Sequence, residues 1–349
     1  MKKVKFDDVI KDITGGNKKI KTTEYLDDGI LPIIDQSSKF ISGFTNEVNK
    51  VKTNRKDVII FGDHTKEFKY INFDFCIGAD GVKILEPINE LNTKYLYYFF
   101  QTVYLPNVGY SRHFKFLKET EIPLPPLSQQ KAIAAQLDKA QELVQYNEQL
   151  IEKYDELQQS LFLDMFGDPV INEKGWEKMK FNKLSYSLNS KRIPLKQADR
   201  EKMQKTYPYY GASGIIDYVD DYLFDDINLL IGEDGANLLS RNTPIAFISK
   251  GKYWVNNHAH VIKNNNKSNL LYLKYYINSI NLEKYITGSA QPKLNKSNLD
   301  NILINVPPLI LQNDFAKKIE SIEIQKEQAK EALAKSKDIF QGLLQEHFF

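Results

Sequence analysis

Ile122-Pro123-Leu124-Pro125-Pro126-Leu127-Ser128-Gln129-Gln130 opens a stretch that runs without Gly or Pro to Met165-Phe166. The chain makes this stretch twice. The second copy opens Ile304-Asn305-Val306-Pro307-Pro308-Leu309 and runs, with the single glycine Gly342, to Phe349. Pro126 and Pro308 lie 182 positions apart, and that offset holds without a gap to the end of the repeat. Ala134 meets Ala316, Leu137 meets Ile319, Ile151 meets Leu333, Leu161 meets Leu343 and Phe166 meets Phe348. A repeat of this kind outranks any local signal, because it divides the chain into two similar halves.

Each copy carries apolar groups at a 4-3-4-3 spacing. The first gives Ile133, Leu137, Ala140, Val144, Asn147, Ile151, Tyr154, Gln158 and Leu161; the second gives Phe315, Ile319, Ile322, Lys326, Ala329, Leu333, Ser336, Phe340 and Leu343. A sustained 3.5-residue period predicts a coiled-coil seam rather than one face of a globular core. Two amphipathic helices, each lying on its own domain, are the alternative, but such a rod leaves its seam without a partner. Ser128 is the expected N-cap. About 38 helical residues at 1.5 Å each make a rod of roughly 57 Å. Asn147 and Lys326 are polar at seam positions, which weakens a coiled coil and fixes its register.

A chain of 349 residues has room for about two cores. Its 20 Phe and 20 Tyr argue against disorder. No run approaches the roughly 18 apolar residues of a membrane span, and the charged start Met1-Lys2-Lys3 has no apolar signal segment. The one cysteine, Cys76, excludes an internal disulfide and a cysteine-based zinc site. A soluble cytoplasmic protein is expected. The net charge of +2 decides little, since basic residues can gather on one face. They cluster at Lys50, Lys52, Arg55 and Lys56, at Lys191, Arg192 and Lys196, and at Arg200, Lys202 and Lys205. Each cluster alone also reads as a solvated surface.

Residues 1–121 read as mostly β, with short apolar runs at Ile30–Ile34, Val58–Phe61 and Phe73–Ile77 ended by turn-forming residues. Thr93 to Val103 reads as a short helix whose aromatics face a core. Residues 176–303 repeat this plan more loosely. Tyr207–Ser213 stands where Leu31–Ser37 stood, Leu229–Asp234 where Ile59–His64 stood, and Gly288–Leu294 where Gly109–Lys115 stood. The expected architecture is α+β: domains at 1–121 and 176–303, long helices at 122–166 and 304–349, and a linker at 167–175.

No G-x-x-x-x-G-K-[ST], G-x-G-x-x-G or H-E-x-x-H occurs. Asn305-Val306-Pro307-Pro308-Leu309 has one residue too many, and lacks the aromatic, for the Asn-Pro-Pro turn of DNA methyltransferases; it reads as a helix-entry turn. Asp63, His64 and Asp80 read as turn residues rather than metal ligands. His258 and His260 share a face on a strand but lack a third ligand. What remains is recognition. Arg, Lys, His, Gln, Asn, Ser and Tyr on loops of a rigid scaffold suit phosphate contacts and base-edge hydrogen bonds. The candidate DNA-binding residues are Lys39, His64, Lys66, Tyr110, Ser111, Arg112, His113 and Lys115 in the first domain. In the second they are Tyr210, Ser213, Arg241, Asn257, Ser289, Gln291 and Lys293. Arg pairs bidentately with guanine and Gln with adenine, so a change between equivalent loops changes the sequence read.

At this point the chain resembles the specificity (S) subunit of type I restriction-modification enzymes. The resemblance rests on Phe61-Gly62-Asp63-His64-Thr65, Ile77-Gly78-Ala79-Asp80-Gly81-Val82-Lys83, Gly109-Tyr110-Ser111-Arg112-His113, Ile122 to Ala134, Met165-Phe166-Gly167-Asp168-Pro169 and Gly288-Ser289-Ala290-Gln291-Pro292-Lys293-Leu294. It covers essentially the whole chain. The second Pro-Pro segment departs from the pattern, with Ile310-Leu311-Gln312 before the rod. The resemblance implies two target-recognition domains, each reading half of a split, asymmetric sequence in double-stranded DNA. It implies that the long helices pair antiparallel with pseudo-twofold symmetry and act as a ruler. Methyltransferase (M) subunits would dock on them and bring S-adenosylmethionine for adenine methylation. Restriction (R) subunits would bring the ATP-dependent motor and Mg2+-dependent nuclease, and this subunit would be non-catalytic, with no cofactor or metal of its own and no membrane contact. A coiled-coil protein scaffold and a duplicated DNA-modifying enzyme are the rival readings.

Overall fold

The computed structural model describes residues 2–78, 81–88, 90–107, 111–288 and 290–349. The chain divides into two units, Met1–Glu148 with Lys330–Phe349, and Gln149–Ala329. The division falls within both long helices, so each unit holds part of each.

In chain order, unit 1 contains β1 (Lys3–Lys5), α1 (Phe6–Val9), β2 (Ile10–Asp12), β3 (Leu31–Ile34), β4 (Gly43–Thr45), β5 (Val58–Gly62), β6 (Phe68–Ile71), β7 (Cys76–Ile77), β8 (Val82–Pro87), α2 (Thr93–Gln101), α3 (Phe114–Lys118) and β9 (Glu121–Pro123). One sheet runs β2-β8-β5-β6, a second runs β4-β3-β7, and β1 pairs with β9. Val58-Ile59-Ile60-Phe61 can be apolar throughout because both faces of β5 are covered. Ile59 and Phe61 join Tyr95 and Phe100 of α2 in one core, while Val58 and Ile60 join Ile71 and Ile84 in another. The expected aromatic helix is α2, and Tyr95, Leu96, Tyr98, Phe99 and Phe100 are all buried.

The long helix α4 (Leu127–Phe166) leads into unit 2. There follow β10 (Glu177–Lys180), β11 (Ser185–Ser187), α5 (Gln197–Arg200), β12 (Tyr207–Gly211), β13 (Gly214–Val219), β14 (Phe224–Asp225), β15 (Asn228–Gly232), α6 (Asn237–Ser240), β16 (Ala246–Ser249), β17 (Lys252–Val255), β18 (Ala259–Asn264), α7 (Leu270–Ser279), α8 (Lys296–Asp300), β19 (Leu303–Val306) and α9 (Leu309–Phe348). The sheets run β11-β18-β15-β16 and β13-β12-β17-β14, with β10 paired to β19. This is the plan of unit 1. β15 replaces β5, with Leu229 and Ile231 in one core and Leu230 in the other. The parallel pair β12–β17 replaces β3–β7.

α4 and α9 have 40 residues each, so the 182-residue offset holds at both helix ends. They pair antiparallel. In unit 1 Asn147 Nδ2 donates to Ser336 Oγ (3.3 Å) and Gln136 meets His347 (2.9 Å). In unit 2 Gln158 Nε2 donates to Glu323 Oε1 (2.9 Å), and Lys326 pairs with Asp155. Every residue of the predicted seam is buried or half-buried. Toward the helix ends Phe162 and Leu344 are more deeply buried than the predicted Leu161 and Leu343. That drift is expected where a helix of 3.6 residues per turn leaves a 3.5-residue seam. Ser128 is not the N-cap: Gln130 N donates to Pro126 O, so Pro126 is the capping position and Ser128 lies inside the first turn.

The approach to each helix is built identically. Gln130 is buried; its Nε2 donates to Pro125 O (2.8 Å) and its Oε1 accepts from Asn92 N (3.1 Å). Gln312, also buried, donates to Pro307 O (2.8 Å) and accepts from Asn269 N (2.9 Å). Tyr95 Oη donates to Pro123 O (2.7 Å) as Tyr272 Oη does to Asn305 O (2.6 Å). Asn92 and Asn269 cap α2 and α7 in turn. The atypical Ile310-Leu311-Gln312 thus keeps the one side chain this joint requires. Among the described residues no helix is long and apolar enough to cross a membrane.

Candidate nucleic-acid interface

In unit 1 the candidate residues gather at the Gly62 end of β5. Gly62 lies so close to the end of β3 and to its own turn that a Cβ would come 2.1 Å from Thr65 Oγ1 and 3.1 Å from Gln36 O. Only glycine fits there. Thr65 Oγ1 donates to Gln36 O (2.6 Å), and His64 N donates to Gln36 Oε1 (3.3 Å). The loop 35–42, which carries exposed Lys39, is held by Lys69. This buried ammonium donates to the carbonyls of Asp35 (2.8 Å) and Lys39 (2.5 Å). Burial pushes the Lys69 ammonium below its ordinary range, against the charges of Asp35 and Glu67. Burial would raise Asp35, but hydrogen bonds from Ser42 and Ser37 and the charge of Lys69 outweigh it and leave the carboxyl below its usual range.

Asp63 ties the third segment to this group. Its carboxylate accepts from Phe114 N (2.8 Å), capping the N-terminal end of α3, and its carbonyl accepts from His113 N (2.9 Å). His113 Nδ1 lies 2.9 Å from the same carbonyl, so Nδ1 carries the proton. His113 is buried, so of the predicted site residues it acts from beneath the loop. Its Nε2 and the Ser111 hydroxyl are buried and find no partner among the described residues. Arg112 and Lys115 are exposed, with the Lys115 ammonium over the Phe116 ring (4.7 Å). Lys66, at φ 64°, donates to Leu105 O (3.3 Å). Tyr110 and Asp80 lie outside the described residues, as does Ser289 in unit 2.

In unit 2 the equivalent strand end is Gly232, where a Cβ would come 2.8 Å from Ala212 O. Glu233 takes the place of Asp63. Its N donates to His258 O (2.8 Å) and its carbonyl accepts from Leu294 N (2.7 Å). Its carboxylate, however, collects side chains. Arg192 Nη1 lies 2.7 Å from Oε2 and Lys293 Nζ 3.4 Å from Oε1. Burial would raise Glu233, but the Arg192 hydrogen bond and the charges of Arg192 and Lys293 hold it below the usual carboxylate range. His260 is fully buried. Its Nε2 donates to Leu294 O (2.7 Å) and its Nδ1 accepts from Asn189 Nδ2 (2.8 Å). Burial pushes its pKa down, opposed by the Leu294 carbonyl and Glu233, and a neutral imidazole satisfies both bonds.

Exposed Ser213, Asn257, Gln291 and Lys293 surround this network. Arg192 Nη1 also reaches the carbonyls of Asn257 (3.4 Å) and Ala259 (2.7 Å). Two candidates are placed differently. Tyr210 stacks on Phe247 (5.8 Å) beside Tyr253, as part of a core. Arg241 donates to the carbonyls of Asn278 and Ile280 at the end of α7 (3.4 and 2.6 Å). The two histidines do not share a setting either: His258 is exposed on Asp234 (2.9 Å) while His260 is buried in β18. Gln36, Asp63, Arg192 and Glu233 were not among the candidates. Asp63 and Glu233 carry a sequence signal, since each follows a repeated strand-end glycine, whereas Gln36 and Arg192 carry none.

The model of the type I restriction modification DNA specificity domain matches residues 1–154 and 173–335. A candidate type I restriction enzyme specificity subunit of Haemophilus influenzae is 36% identical over 135 residues, covering 39% of this chain and 34% of that protein. A type I restriction enzyme specificity subunit of Escherichia coli is 31% identical over 87 residues, 24% of this chain and 22% of its own. The matched regions thus span about a third or less of these relatives. The crystal structure of the type I restriction-modification S subunit from M. genitalium shares the fold, with a TM-score of 0.67 at 17% identity over 98% of this chain and 94% of that one. The chain belongs to the family of type I restriction-modification DNA specificity domains.

Proposed function

We propose that this chain is the non-catalytic, sequence-reading subunit of a type I restriction-modification complex, acting in the cytoplasm on a split, asymmetric site in double-stranded DNA. One observation carries the reading. The helix approaches are built with the same hydrogen bonds in both halves, while the strand-end clusters differ in chemistry (Asp63 with His113 against Glu233 with Arg192 and Lys293). A shared frame with different reading loops is what two unlike half-sites require. Residues 1–121 and 176–303 are the reading domains, and 122–166 and 304–349 set the gap between half-sites. Exposed Lys39, Arg112 and Lys115 touch one half-site; Ser213, Asn257, Gln291 and Lys293 touch the other. M subunits dock on the long helices and supply S-adenosylmethionine for adenine methylation. R subunits supply ATP-driven translocation and Mg2+-dependent cleavage.

The test is to express the chain with its methyltransferase partner and map methylated adenines across a genome. The expected result is one motif with two unlike halves at a fixed gap. A contiguous motif, or methylation without sequence preference, would refute the reading.

A further inference from the structure

The segment between β4 and β5, residues 46–57, has no regular secondary structure, yet it is firmly tied down. Val51 is buried and its N donates to Phe75 O (2.9 Å); Lys52 N donates to Asn17 Oδ1 (3.0 Å). Buried Glu86 accepts from Thr53 Oγ1 (2.5 Å) and Asn54 N (2.8 Å). Arg55 reaches inward to Leu91 O (2.9 Å) and lies 3.6 Å from Asp57. Between these anchors Lys50, Lys52, Asn54 and Lys56 face solvent along a groove of about 810 Å³. Lys50 pairs with Asp74 (2.8 Å); Lys52 and Lys56 form no ion pair among the described residues.

The fold does not demand this charge. The equivalent connection of unit 2, between β13 and β15, presents exposed Asp220, Asp221, Asp225 and Asp226 instead. The basic clusters of unit 2 are also partly spent at home: Arg192 on Glu233, Arg200 and Lys205 on Asp217.

We propose that residues 50–56 form a strap that grips the phosphate backbone of duplex DNA without reading its bases, and that unit 2 has no counterpart at the matching place. A line of cations up to roughly 20 Å long suits a duplex, whose strand offers a phosphate about every 3.4 Å. Asn54 adds a neutral donor of the kind that phosphate oxygens accept. Because the backbone is anchored from below, little ordering entropy opposes the contact. The inference rests on the DNA-binding reading and adds a surface that none of the predicted site residues occupies.

The experiment measures binding of the full-length chain to labelled duplexes, with and without the methylated motif, across a salt titration. Lys52→Gln/Lys56→Gln should make the plot of log K against log salt shallower by about 2, at about 0.9 per lost phosphate contact. The change should be equal on every sequence. Lys52→Arg/Lys56→Arg should keep the wild-type slope, and so should Asp220→Asn/Asp221→Asn. An unchanged slope for the Gln pair overturns the strap. An unchanged slope with lost methyltransferase binding overturns it in favour of a protein contact, and altered base preference overturns it in favour of base reading. Wild-type protein that binds no duplex at any salt refutes the DNA-binding reading itself.

Discussion

Asp63 and Glu233 occupy the same place, one residue beyond the strand-end glycine, and differ by one methylene group. Asp63 is short, and its carboxylate stays with the backbone, capping α3 through Phe114 N. Glu233 reaches further and organises charge, drawing Arg192 and Lys293 together over the neutral His260. Unit 1 therefore keeps its exposed Arg112 and Lys115 outside the carboxylate's grip. Unit 2 presents Lys293 already leaning on a carboxylate. One scaffold can thus offer different surfaces by changing how a single acid is used.

The comparison can first be tested where the two halves agree. Gln130→Ala and Gln312→Ala should be about equally costly, at about 3 kcal/mol each, since each removes two hydrogen bonds and strands a buried carbonyl and a half-buried amide. Both tryptophans, Trp176 and Trp254, lie in unit 2, so their fluorescence in a urea titration reports that unit. Gln312→Ala should shift that transition, and Gln130→Ala should act on amide exchange in unit 1. A large effect at only one of the two glutamines would break the equivalence.

The halves should part at the strand ends. Glu233→Gln leaves Arg192 charged and partly buried without its counter-ion, and should cost about 2 kcal/mol, a value reduced for the residual exposure of the pair. Asp63→Asn keeps an acceptor for Phe114 N and should cost about 0.5 kcal/mol or less. Urea titrations of both variants check this, and equal losses would contradict the distinction between backbone and side-chain use.

A smaller effect follows from His260. Its folded pKa lies below the unfolded value of about 6.5, so the unfolded chain binds the proton more readily. The stability of unit 2 is then fully present above that value and declines as pH falls below it, by at most about 1.4 kcal/mol per pH unit. Tryptophan-monitored stability between pH 7 and 5 should show the decline, and His260→Asn should remove the slope whatever it does to absolute stability. A slope that survives the substitution would place the titration elsewhere.

How far the sequence could be read follows the same division. The long helices are legible because the repeat offset runs through them without a gap, and the heptad identifies their seam except toward the ends, where Phe162 and Leu344 take over from Leu161 and Leu343; the first turn is less legible, since Pro126 and not Ser128 is the capping position. Gln312 could have been matched to Gln130 by that offset. The loops resist, because the offset drifts: Gln36 to Ala212 differs from Gly62 to Gly232, and both differ from Pro123 to Asn305. There only residue type points to candidates, and type does not say which side of a turn faces inward. His113 reads as a polar loop residue but is buried; Tyr210 reads as a hydrogen-bonder but packs against Phe247. Glu233 and Arg192 look like ordinary surface charges until the fold brings them together.

The division of labour between helices and loops has one direct measurement. Seven residues added to α4 after Leu150, and seven to α9 after Ala332, lengthen each helix by about 10 Å while keeping the seam nearly in phase. Methylated adenines are then mapped in cells that carry the lengthened chain with its methyltransferase partner. The account predicts the same two half-site sequences separated by about three more base pairs, at about 3.4 Å each. The original gap, or altered half-sites at any gap, would contradict it.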